Sequence, residues 1–171
     1  MKIIFLVGMP GSGKTYWAQT LAEHYKCDVV DMDRQISILT GKKIATIFKE
    51  KGEAYFREME NGLLQQIIKN KDNWNVIVAC GGGTPSFNGN MELMLEHGCV
   101  IYLKTDINVL EQRLLNTDEQ RPLLEGGLRE RLETLYELRK DVFEQAHYTI
   151  NTNSITIRDF ENIIALCTKQ Q

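Results

Sequence analysis

Near the start of the chain, Gly8-Met9-Pro10-Gly11-Ser12-Gly13-Lys14-Thr15 follows the pattern G-x-x-x-x-G-K-[ST] in full. An apolar run, Ile3-Ile4-Phe5-Leu6-Val7, precedes it, and residues 13–25 have the apolar spacing of a helix. A strand, a glycine-rich turn and a helix in that order make a phosphate cradle. The glycines let backbone N–H groups turn inward, and the helix N-terminus adds partial positive charge. In such a loop Lys14 reaches the β- and γ-phosphates and the Thr15 hydroxyl ligates Mg²⁺. The segment therefore predicts a nucleoside-triphosphate site at the carboxyl end of a buried strand.

The rest of the chain suits that beginning. Its 171 residues predict one domain, and 43% apolar content is enough for a real core. Twenty Lys+Arg against twenty-three Asp+Glu leave a net charge of −3, which argues against nucleic-acid coating. No apolar stretch approaches the roughly 18 residues of a membrane span, and the run 3–7 is shorter than an export signal. The four cysteines, Cys27, Cys80, Cys99 and Cys167, form no C-x-x-C pair. They predict reduced, mostly buried thiols in a cytoplasmic protein without nucleic-acid or membrane partners.

Short β-branched runs at 3–7, 28–30, 76–79, 100–103 and 148–150 predict strands. Helical spacing at 13–25, 54–68, 91–96, 107–115, 128–143 and 157–166 fills the intervals. This alternation predicts an α/β fold, a mostly parallel sheet covered on both faces, with ligands at the carboxyl ends of the strands. Two regions depart from it. Residues 32–68 form one long, mostly helical insertion, and 116–127 (NTDEQRPLLEGG) is polar and ends in two glycines, as a surface loop does.

A GTPase reading lacks its guanine reader, because Asn70-Lys71-Asp72-Asn73 ends in Asn and precedes a strand. A motor-type reading lacks its acid, because the strand 76–79 runs into Cys80-Gly81-Gly82-Gly83. Carboxylates come instead from Asp31 and Asp33 after the second strand, where alternation along an extended chain puts both on one side. One suits a metal shell and the other a proton on an incoming hydroxyl, although aspartate after a strand also suits a helix N-cap. Three consecutive glycines suggest a backbone that something approaches closely, or a plain turn.

Together with Phe48-x-x-x-Gly52-Glu53-x-x-Phe56-Arg57-x-x-Glu60, Arg121-Pro122-Leu123-Leu124 and Arg139, these motifs closely resemble the shikimate kinase family over nearly the whole chain. The resemblance implies a three-layer P-loop kinase fold whose five-stranded parallel sheet runs in the order 2-3-1-4-5. A helical substrate-binding region falls at about 32–62 and a lid at about 113–127. It implies transfer of the γ-phosphoryl group of ATP to the 3-hydroxyl of shikimate, with Mg²⁺, in a monomer.

Residue by residue, the resemblance implies that Gly11, Ser12, Gly13, Lys14, Thr15 and Arg121 bind ATP. Thr15 and, through water, Asp31 serve the metal. Asp33, Arg57, Gly81, Gly82, Gly83, Arg139, Phe48 and Phe56 hold shikimate. Lys14, Asp33 and Arg121 carry the chemistry, with Arg57 and Arg139 as guanidinium forks for the acceptor's carboxylate. Glu60, three residues from Arg57 on one predicted helix, steadies that fork. The chain departs from the family in having Phe143 where a tyrosine is usual, and no arginine in Asn151-Thr152-Asn153. The alternatives are a gluconate or nucleoside-monophosphate kinase, or a nucleotide-binding regulator without catalysis.

Overall fold

The computed structural model describes residues 3–70, 75–116 and 127–169. Strands β1 (Ile3–Val7), β2 (Asp28–Asp31), β3 (Val76–Ala79), β4 (Cys99–Lys104) and β5 (Tyr148–Asn151) form one sheet. All neighbours pair parallel, in the order β2-β3-β1-β4-β5. This is the order the family resemblance implies. Helices α1 (Lys14–Tyr25), α2 (Met32–Thr40), α3 (Ile44–Lys69), α4 (Asn90–His97), α5 (Ile107–Leu115), α6 (Leu128–Phe143) and α7 (Ile157–Lys169) flank it, with a 3-10 turn at Thr84–Ser86.

Strand β1 is apolar at every position because both of its faces are covered. Ile3, Phe5 and Val7 point into a core shared with Met32, Leu64, Met94 and Phe143, from α2, α3, α4 and α6. Ile4 and Leu6 point the other way, against Ala18 and Leu21 of α1 and Phe160 and Ile164 of α7. Each side chain buried this fully contributes about 1.5–3 kcal/mol. Among the described residues no helix is long and apolar enough to cross a membrane.

The register carries the sheet's carboxyl ends to one level. Ala79 of β3 lies opposite both Leu6 of β1 and Asp31 of β2. The phosphate loop, Asp31 and the glycine run therefore emerge side by side.

Three sequence expectations need adjustment. Helix α2 begins at Met32 with no intervening loop, so Asp33 reaches the cleft from a helical first turn and not by strand alternation. Helix α3 is longer than the spacing suggested and breaks at Gly52, whose φ of 81° lies in the left-handed region. Cys99 and Cys167 are not reduced thiols but are disulfide-bonded, whereas Cys27 and Cys80 are free. Cys99 opens β4 and Cys167 lies in α7, so packing alone brings together Cα atoms 68 residues apart to 6.1 Å. Sequence spacing carries no trace of that meeting.

Candidate active site

A cleft of about 580 Å³ opens where β1, β2 and β3 end, lined by Lys14, Thr15, Asp31, Asp33, Gly82 and Arg113 among others. Its floor is the phosphate loop. Gly11 and Gly13 have φ of 81° and 93°, which a side chain rarely tolerates, and Gly13 caps α1 without a side-chain bond. The loop is closed on itself by Lys14, whose Nζ donates to the carbonyls of Gly8 and Met9, 2.9 Å each. Ser12 is fully buried beneath it, with its Oγ 3.4 Å from the same Nζ.

Asp31 caps a helix and also faces the phosphate loop. One carboxylate oxygen accepts from the Arg34 N–H at 2.9 Å, capping α2, while the other accepts from the Thr15 hydroxyl at 2.5 Å. Hard oxygen donors thus face each other at the loop mouth. Among the described residues no group of three or more His, Cys, Asp or Glu side chains could hold a metal ion. A pair of such oxygens still fits Mg²⁺, which is commonly held by one or two protein groups together with phosphates and water.

The glycine run packs against charged side chains. A Cβ on Gly81 would stand 2.0 Å from Oε1 of Glu60 and 3.1 Å from a carboxylate oxygen of Asp33. On Gly82 it would meet Pro10 of the phosphate loop at 3.0 Å and an Arg139 nitrogen at 3.5 Å. On Gly83 it would lie 2.5 Å from Cζ of Arg57. These glycines are needed for space and not for unusual φ. Asp33, Arg57 and Arg139, drawn from α2, α3 and α6, converge on this one run of backbone beside the phosphate loop.

The two arginines differ in their surroundings. Arg57 is 7% exposed and its fork is gripped on two sides. Nε and one terminal nitrogen donate to Glu53 at 3.1 and 2.9 Å, and the other terminal nitrogen donates to Glu60. Burial works against its charge, but the carboxylates of Glu60 and Glu53 outweigh burial and hold Arg57 above its ordinary pKa. Arg139, also 7% exposed, makes no hydrogen bond or ion pair among the described residues. Burial, and then the like charge of Arg57, push it down to about 10 against the pull of Glu53 and Glu60. It stays charged at neutral pH, a buried cation whose cost falls when an anion arrives.

Phe48 and Phe56 pack on each other with ring centroids 4.9 Å apart, and Phe56 belongs to the apolar core. The Arg57 guanidinium sits 5.5 Å above the Phe56 ring. Phe143 is fully buried and stacks on Tyr102 of β4. Cys80, fully buried before the glycines, has its thiol pushed well up by burial and is no nucleophile. Arg121 lies outside the described residues.

Sequence reasoning missed two contributors, Glu53 and Thr84. Glu53 was legible as an i,i+4 partner of Arg57. Thr84 donates to Glu60 across the core and carries no motif. Arg113, at the start of the expected lid, donates to the Gly11 carbonyl at 3.2 Å from a position 102 residues away.

The family model described as shikimate kinase matches residues 10–168. A shikimate kinase of Persephonella marina is 40% identical over 152 residues, spanning 89% of this chain and 90% of its own length. One from a Sulfurihydrogenibium species is 39% identical over 156 residues, 91% of each chain. Among solved structures, a shikimate kinase from Acinetobacter baumannii in complex with shikimate superposes with a TM-score of 0.89 at 33% identity. That superposition covers 100% of this chain and 95% of the other.

Proposed function

This chain belongs to the shikimate kinase family, and from that premise we propose that it transfers the γ-phosphoryl group of ATP to the 3-hydroxyl of shikimate. The observation that carries the reading is the pairing of two buried guanidiniums at the glycine run, one of them with no hydrogen-bonded carboxylate among the described residues, beside a phosphate loop. A carboxylate bound there offsets the cost of the buried Arg139 charge, and a neutral sugar does not.

Phosphoryl transfer needs positioning and charge neutralisation more than covalent chemistry. Gly11, Ser12, Gly13 and Lys14 cradle the β- and γ-phosphates, with Lys14 exchanging the carbonyls of Gly8 and Met9 for phosphate oxygens. Thr15 and, through water, Asp31 would hold Mg²⁺, which when bound neutralises charge on those phosphates. Arg57 and Arg139 hold the acceptor's carboxylate, while the backbone at Gly81, Gly82 and Gly83 and the rings of Phe48 and Phe56 set its orientation. Asp33 then accepts the proton of the attacking hydroxyl. Arg121, on the proposed lid at about 113–127, supplies a cation to the transferring group. The substrate-binding region at about 32–62 carries Asp33 and Arg57 together. A cytoplasmic monomer belongs to the same proposal, supported by two small substrates and a site drawn from one chain.

ADP release measured with shikimate, gluconate and nucleoside monophosphates tests the assignment. Turnover with shikimate well above the others is expected, and equal or better turnover with another acceptor defeats it. Two variants probe the fork directly. Arg139→Ala raises the Michaelis constant for shikimate about 10- to 100-fold, the worth of a hydrogen bond to a charged group, with that for ATP held near wild type. An unchanged constant for shikimate removes Arg139 from the site. Gly83→Ala displaces the Arg57 guanidinium and raises the same constant by about tenfold or more, read in the same assay.

A further inference from the structure

Behind the glycine run, Thr84 is fully buried and its hydroxyl donates to Oε1 of Glu60, while Oε2 of the same carboxylate accepts from Arg57. We infer that Thr84 is a positioning residue for the acceptor: by holding the second oxygen of Glu60 it fixes the carboxylate that aims the Arg57 fork. The inference rests on the functional reading above and deepens it.

Glu60 is 0% exposed, so bulk solvent does not reach its oxygens and protein donors serve them. Arg57 serves one and Thr84 the other. Thr84 is itself held from several sides. Its N–H donates to the Gly81 carbonyl at 3.2 Å, and its own carbonyl accepts from the Asn90 side-chain amide at 2.9 Å. The Asn90 side-chain oxygen accepts from the Asn61 amide at 2.6 Å, and Asn61 is the residue after Glu60 on α3. The path therefore leaves α3 at Glu60, crosses Thr84 and Asn90, and returns to α3 at Asn61. Gln65 steadies the return, donating to the Asn61 oxygen at 2.9 Å.

Such a closed ring of buried bonds specifies one rotamer for each member. A spare donor has little room to enter, because a Cβ on Gly81 would already lie 2.0 Å from Oε1 of Glu60 and 2.8 Å from the Thr84 hydroxyl. Without that hydroxyl, the orphaned oxygen turns toward Arg57, the cation that already bonds the other oxygen. The fork then rotates into a two-oxygen grip on Glu60 and away from the acceptor side at Gly83. Acceptor binding suffers, whereas the phosphate loop is untouched.

Thr84→Val keeps the shape and removes the hydroxyl, and Thr84→Ser restores it. With wild type turning over shikimate, Thr84→Val is expected to raise the Michaelis constant for shikimate about tenfold, the worth of one bond to a charged group. The turnover number and the constant for ATP stay near wild type, and Thr84→Ser recovers most of the loss. A constant for shikimate within about twofold of wild type overturns the inference, as does an equal loss for ATP or a failure of serine to rescue. Should valine prevent folding, Thr84→Ala against Thr84→Ser gives the same comparison. The nitrogen resonance of the Arg57 side chain in the free protein is a readout independent of any acceptor. It is expected to shift in Thr84→Val and to return in Thr84→Ser. An unshifted signal overturns the inference whichever acceptor the enzyme uses, whereas a shifted signal in a protein inert to shikimate defeats only the functional reading.

Discussion

Replacing Asp33 with asparagine lowers turnover by about two to four orders of magnitude and leaves the Michaelis constant for ATP near its wild-type value. The exchange keeps the size of the side chain and its place in the first turn of α2, but it removes the carboxylate proposed to accept the proton. General-base assistance contributes a factor of about 10² to 10⁴. ATP binding is spared because the phosphate loop is built from β1 and α1, where Lys14 bonds the Gly8 and Met9 carbonyls and Thr15 bonds Asp31. Steady-state kinetics with both substrates varied provides the check. Turnover near wild type removes Asp33 from the chemistry, and a large loss of ATP affinity makes its role structural.

Removing Arg57 has the second large effect, and it strikes stability and binding together. Arg57→Met leaves Glu60, 0% exposed, with the Thr84 hydroxyl as its one hydrogen-bond donor among the described residues. Stranding one member of a buried ion pair costs about 3–5 kcal/mol. At roughly 2–4 °C per kcal/mol for a chain of this size, the melting temperature falls by about 10 °C. The acceptor also loses one of the two guanidiniums proposed to hold it. A second substitution separates the two losses. In Arg57→Met/Glu60→Leu no carboxylate remains to be desolvated, so melting recovers toward wild type while the Michaelis constant for shikimate stays high. Denaturation and kinetics on both variants check this. A double variant no more stable than the single one shows that the cost lies in packing and not in the stranded charge.

The site divides into parts that local pattern exposes and parts that it hides. The phosphate loop was legible because its chemistry is contiguous: glycines at positive φ, a lysine and a hydroxyl all follow one strand within a few residues. Asp31 is legible as either a helix cap or a metal-shell group; the structure shows the cap through one oxygen and places the other on the Thr15 hydroxyl, where the proposed metal role begins. Asp33 lines the expected cleft for a different reason, since Met32 and Asp33 are already helical where alternation requires extended chain. The glycine run was read as a place of close approach. The structure identifies what approaches: Glu60, Pro10 and Arg57 of the protein itself.

Arg57 and Glu60 stood out by helical spacing, but the burial that turns a common surface pair into a rigid clamp comes from α3 lying beneath the glycines. Arg139 has no local signature at all, and Cys99 and Cys167 have none either. From the order of residues alone came the alternation of strands and helices and the position of the nucleotide loop, because hydrophobic periodicity and backbone freedom are local properties. The tertiary structure alone decided which charges are buried together and which lack a partner. Desolvation and ion pairing depend on what packs against a group from distant parts of the chain, and no window along the sequence contains that information.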